Sequence, residues 1–207
     1  MQRKGELACV AVAIVLLWFP LKNHFDHQRK IARSQSCQNN LKRLAVSLMI
    51  YTNAYDGCYP LVAATNPTSR RIPPFGWLVA LQPYIVNSPF NYCPSVPRAE
   101  DWSLYDNYDK PDQSGFTDYW FNRNLGGAIY AKLSFPSRII LAGDGNDGIE
   151  NTNAHFNRQD LPPNYAPARR HSNGANYAFA DGHVKWLLPA KITTAPLAAG
   201  SYTFAIH

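Results

Sequence analysis

Residues Leu7 to Phe19 (LACVAVAIVLLWF) form an unbroken run of thirteen apolar side chains, and after Pro20 the chain continues into a long amphipathic stretch. A helix that spans a bilayer core uses about 20 apolar residues, so the run alone fits a signal-peptide core, a membrane anchor or a buried helix. A removable signal would be followed by small residues at a cleavage site. Here Trp18, Phe19, Pro20, Leu21 and Lys22 stand instead, all bulky, cyclic or charged. The expectation is therefore a retained anchor, with residues 1–23 as a short basic leader and membrane-inserted segment. Arg3 and Lys4 precede the run and Lys22, Arg29, Lys30 and Arg33 follow it, so the positive-inside bias does not orient it.

From His24 to about Asp56 the pattern is that of a helix. Leu41, Leu44, Leu48 and Tyr51 or Tyr55 recur at three- and four-residue steps, while Asn39, Asn40, Lys42, Arg43, Ser47 and Asn53 supply the polar side. Asp56-Gly57 and Pro60 provide the stop. The first part, His24 to Gln38, has only Phe25, Ile31 and Cys37 as sizeable apolar groups, so it is expected to project from the body. Residues 57–207 then have the length of one ordinary domain.

Across the chain 16 prolines, 12 glycines and an aromatic content of 13%, with the prolines and glycines spread through the middle, argue for strands linked by turns, not a helical bundle. The formal charge of +6 does not point to nucleic acid, because the basic residues gather in the N-terminal stalk and at Arg169-Arg170 with no interleaved aromatics. Of the four cysteines, Cys9 lies in the apolar run, while Cys37, Cys58 and Cys93 lie beyond it and could supply one disulfide in an exported body. The spacing leaves the pairing open.

Leu61 to Pro74 reads as loop, Gly76 to Val86 as a short helix with Pro83 near an end, and Asn91 to Pro97 as a brief extended piece. Arg98 to Gly115 is a polar excursion rich in Asp, Tyr, Asn and Pro, and Thr117 to Asn122 and Ser137 to Gly143 are candidate strands. Ala175 to Ala180, Asp181-Gly182 and His183 to Leu187 spell a β-hairpin. A two-residue turn with both central residues at positive φ would set Tyr177 and Phe179 on the same face as Val184 and Trp186.

Two segments carry a resemblance. Arg170 to Leu187 (RHSNGANYAFADGHVKWL) resembles the prepilin-type processing-associated domain, marked by a His, nine residues and Asp-Gly, here His171, Asp181 and Gly182. Ala32 to Pro60 (ARSQSCQNNLKRLAVSLMIYTNAYDGCYP) is similar to the Cys, Asn-Leu-Lys and Tyr-x-x-x-Tyr-Asp-Gly helix of the same type IV pilin-like group, which includes DUF1559-like proteins. The resemblance implies an α+β fold of pilin-like shape, a long N-terminal helix with its outer half in the membrane, packed on a small antiparallel sheet in an extracytoplasmic domain. It implies a structural role for His171, Asp181 and Gly182 and a possible processing site between Gly5 and Glu6. There the chain departs from the prepilin pattern, since the acid follows Gly5 directly and Val10 holds the position where the family places its assembly glutamate.

The residues themselves offer three chemistries. His171, Asp181 and His183 are of metal-ligating type, but Asp181 is what a tight turn wants and neighbouring strand residues point to opposite faces, so no metal site is expected and His171 is expected to bond a backbone group beside the hairpin. Asp144, Asn146, Asp147 and Glu150 offer oxygen ligands on a turn, without EF-hand spacing, and calcium is the weaker reading there. No nucleophile elbow, phosphate loop or Cys-His context indicates catalysis, so neither an enzyme nor a cofactor is expected. The expected function is a non-enzymatic, membrane-anchored pilin-like or pseudopilin-like subunit of the bacterial envelope, with the membrane and other such subunits or envelope proteins as partners. The alternative is an anchored monomer that binds carbohydrate or peptide through Trp102, Tyr105, Tyr108, Tyr119 and Trp120.

Overall fold

A single helix, α1, runs from Gln2 to Ala54. The computed structural model describes residues 2–61, 63–64, 75–85, 92–95, 118–144, 170–193 and 201–206, with the side chains of α1 described from Leu16 onward except Leu17. At 1.5 Å per residue, the 53 residues of α1 extend about 80 Å. It ends where the sequence signals a stop. Asp56 and Gly57 take positive φ (53° and 79°), and the Gly57 N–H caps the Thr52 carbonyl at 2.8 Å.

Only the C-terminal part of α1 meets the body. Cys37, Leu41, Leu44, Ala45 and Leu48 are buried, whereas Leu16, Trp18, Phe19, Leu21 and Phe25 are exposed. Among the described residues no helix is long and apolar enough to cross a membrane.

After α1 come β1 (Ala63–Ala64), β2 (Phe75–Gly76) and α2 (Trp77–Leu81). β1 and β2 pair antiparallel, so Ala63 and Ala64, within the segment read as loop, are strand. Pro83 sits in the first turn of a 3-10 segment continuing α2, where its missing N–H costs nothing. β3 (Tyr119–Phe121), β4 (Ile140–Asp144), β5 (Ala175–Phe179) and β6 (Val184–Leu187) then form a four-stranded antiparallel sheet in the order β3-β4-β5-β6. β7 (Ile192–Thr193) and β8 (Tyr202–Thr203) pair parallel to one another.

Both faces of this sheet are covered, and the strands alternate between them. Tyr119, Phe121, Ile139, Leu141, Ala178 and Ala180 share one core with Leu41, Leu44 and Leu48 of α1 and with Trp77 and Leu81. Alanines on the central strand let the helix approach closely. On the opposite face Trp120, Ile140, Tyr177, Phe179 and Leu187 pack with Ile192 and Phe204 of the C-terminal segment. The result is the expected α+β arrangement of one long helix on a small antiparallel sheet.

The hairpin exists where expected, but its register differs. Gly182 alone of the Asp-Gly pair takes positive φ (84°); the Gly182 N–H bonds the Phe179 carbonyl at 2.8 Å and the Phe179 N–H bonds that of His183 at 2.9 Å. Ala180, Asp181 and Gly182 thus form the loop, with glycine in the left-handed position of a bulge, in place of a two-residue turn. One added loop residue moves the pairing by one and exchanges the faces. Tyr177 therefore opposes Lys185, Asn176 opposes Trp186 and Ala178 opposes Val184, which separates Tyr177 and Phe179 from Val184 and Trp186.

Candidate functional site

Four elements converge behind the helix. Cys37 comes from α1, Cys93 from the short segment 92–95, Asp144 from the C-terminal end of β4, and His171 from the turn leading into β5. Cys37 and Cys93 form a disulfide with Cα atoms 5.4 Å apart, so the pairing left open by the sequence joins helix to body. Cys58 is not disulfide-bonded.

His171 is held on both its backbone and its ring. Its N–H and carbonyl bond Gly174 at 2.7 and 3.0 Å around Ser172 and Asn173, both at positive φ, and the Trp186 indole N–H donates to the same carbonyl at 2.7 Å. Gly174 has no room for a side chain, since a Cβ there would lie 2.5 Å from Trp186. The ring is thereby aimed inward. Nε2 lies 3.2 Å from Asp144 Oδ2 and 3.5 Å from Cys93 Sγ, and Nδ1 lies 3.5 Å from Ser95 Oγ. His171 thus engages side chains, in place of the backbone partner expected for its ring.

Asp144 is wholly buried. Its Oδ2 accepts the Asn176 N–H at 2.7 Å, the Arg170 guanidinium stands 4.0 Å from Oδ1, and among the described residues Oδ1 has no hydrogen-bond donor. Arg170 donates to the Asp118 carbonyl at 2.7 Å, while the Asp118 carboxylate accepts the Cys93 N–H at 2.7 Å. Burial, and next the Asp144 charge, raise the pKa of the Tyr119 and Tyr177 phenols, keeping both protonated through the physiological range. Chemically, the cluster is a disulfide flanked by an imidazole, a carboxylate and a compensating guanidinium.

The remaining sequence-predicted residues lie elsewhere. Asp181 and His183, whose convergence was not expected, meet at the hairpin tip, with His183 Nδ1 2.6 Å from Asp181 Oδ1. The turn bends residue 183 back toward the aspartate, as the 3.1 Å bond from the His183 N–H to the same oxygen records. Neither residue joins His171. Gly182 rests on α1, where Lys42 Nζ donates to its carbonyl at 2.6 Å and Met49 Sδ would lie 2.7 Å from any Cβ. Gly5 and Glu6 lie within α1, with side chains outside the described residues. Of the calcium candidates only Asp144 is described, and Asn146, Asp147 and Glu150 lie outside; so do Trp102, Tyr105 and Tyr108 of the aromatic loop. Tyr119 and Trp120 are core residues, 0% and 2% exposed, not surface rings.

Reasoning on sequence missed the joining of Asp144 to His171. The available signal was an acidic residue terminating an apolar strand, SRIILAGD, whose carboxylate needs a partner once buried.

Residues 26–90 match a family described as a protein of unknown function (DUF1559), so the DUF1559 part of the resemblance stands over the second half of α1 and the segment after it. No curated protein and no solved structure matches the chain.

Proposed function

We propose that this protein is a non-enzymatic structural subunit of the bacterial cell envelope, pilin-like or pseudopilin-like, anchored in the membrane and interacting through α1. The observation that carries this reading is the division of α1. Its C-terminal part is built into the body, while its N-terminal part displays Leu16, Trp18 and Phe19 at 67%, 64% and 69% exposure. At 3.6 residues per turn Leu16 and Phe19 share one side of the helix and Trp18 points away from them, so apolar groups stand on opposite sides, the pattern of a segment with apolar material around it. Lipid or neighbouring copies of the same helix supply such surroundings. The thirteen-residue run is about 20 Å long as a helix, and Lys and Arg at both ends reach the headgroups by snorkelling, with the bilayer thinning to match.

Fractionation of cells producing the native chain tests the anchor. The protein is expected in the membrane fraction, released on deletion of residues 7–19; recovery of the intact chain in the soluble fraction sinks the reading. Crosslinking in membranes is expected to give ladders that depend on the same segment, whereas monomers alone would favour an anchored binding module. N-terminal sequencing that begins at Glu6 would establish processing after Gly5.

A further inference from the structure

We propose that the pocket formed by Cys37, Cys93, Asp144 and His171 binds a zinc ion when its disulfide is reduced. Two sulfurs, one imidazole nitrogen and one carboxylate oxygen lie within 4.8 Å of one another, and all four residues are buried. That donor set and number match a closed tetrahedral zinc site.

Zinc bonds of about 2.0–2.3 Å in a tetrahedron place neighbouring donor atoms about 3.3–3.8 Å apart. His171 Nε2 already stands 3.5 Å from Cys93 Sγ and 3.2 Å from Asp144 Oδ2. Two of the ligand pairs are therefore already spaced for the ion, and reduction must part the two sulfurs from bonding distance to about 3.7 Å. Reduction by a phosphine or dithiol adds two electrons and two protons, giving two thiols. Zinc binding then releases both protons and leaves two thiolates on the metal.

Charge and outer contacts agree with this assignment. Two thiolates and the Asp144 carboxylate against the dication and the Arg170 guanidinium sum to zero, with the Asp118 carboxylate beside them held on the Cys93 N–H, so most of the penalty on an ion in the interior is offset. Asp144 Oδ2 is the oxygen beside His171, and Oδ1, buried and without a hydrogen-bond donor among the described residues, is left facing the Arg170 guanidinium at 4.0 Å. The Asn176 N–H on Oδ2 and Ser95 Oγ beside His171 Nδ1 orient the carboxylate and the ring.

The test uses the full chain in detergent, reduced with a phosphine, freed of reductant and titrated anaerobically with cobalt(II) and then zinc(II). One cobalt per chain by native mass spectrometry, with thiolate-to-cobalt charge-transfer absorption that zinc abolishes, is expected from the reduced chain and not from the oxidised chain. His171→Gln and Asp144→Asn should each weaken binding more than tenfold, and Ser95→Ala by about tenfold. Equal melting temperatures of the oxidised Ser95→Ala and native proteins keep the last comparison free of unfolding. Absence of stoichiometric metal, a cobalt spectrum without thiolate character, or affinity unchanged in Ser95→Ala and His171→Gln alike would overturn the proposal.

Discussion

The two stretches of α1 have the same backbone and opposite surroundings. From Cys37 to Leu48 the helix buries Leu41, Leu44, Ala45 and Leu48, shares a disulfide with Cys93, and is joined polar atom to polar atom by Gln38 to Asn176 and Lys42 to Gly182. From Leu16 to Ile31 the described large apolar side chains are exposed, and Arg29 stands 4.0 Å from Asp26, both well solvated. Helical hydrogen bonding alone is marginal without packing, so the first stretch owes its folding to the protein and the second owes its persistence to whatever environment covers it. Mutations should therefore divide sharply at about residue 34.

Several substitutions would break that division if their effects were reversed. The largest is Cys37→Ser, which opens a loop spanning 56 residues and should lower stability by about 4 kcal/mol in denaturant unfolding of the oxidised protein. Leu44→Ala should cost about 3 kcal/mol in the same measurement, from lost burial and the cavity left under the sheet. Tyr177→Phe sharpens the comparison from the far face. Its hydroxyl has no partner among the described residues, so at neutral pH the change should be nearly neutral. In alkali the sign differs. The folded phenol titrates above its unfolded value of 10.0 because burial, and then Asp144, oppose its ionisation. Its protonated form therefore contributes fully below pH 10, and that contribution falls as pH rises above it. Replacing Tyr177 should remove about 1.4 kcal/mol of the stability lost by pH 11. Smallest of all, Phe25→Ser on the uncovered stretch should change the stability of the detergent-solubilised protein by less than about 0.5 kcal/mol.

How much of this was legible follows from range along the chain. Leu41, Leu44 and Leu48 announce a buried face because helical periodicity is local, and Asp56-Gly57 announces the end for the same reason. The hairpin was legible in place but not in register. Asp-Gly is so strong a two-residue turn signal that it masks the alternative in which Ala180 joins the loop, and choosing between the two depends on which side of β5 meets α1. The tight turn at Ser172-Asn173 was missed because its only local mark is the Asn173-Gly174 pair. The site was less legible still. Nothing near Cys37 specifies Cys93 over Cys58, and nothing near His171 names Asp144; the first pair depends on how α1 meets the segment 92–95, the second on the adjacency of β4 and β5. That Asp181 and His183 meet was not expected, although alternation sends only adjacent residues to opposite faces and returns the next one to the same side.

The Cys37–Cys93 bond also decides how the molecule bears mechanical load. A pull along the axis of α1 that relied on leucine packing and a few hydrogen bonds would be resisted by contacts able to slide past one another. With the covalent link at the point where the helix enters the body, tension runs through sulfur into the segment beside the sheet, and the arm cannot be drawn out like a bolt from its socket.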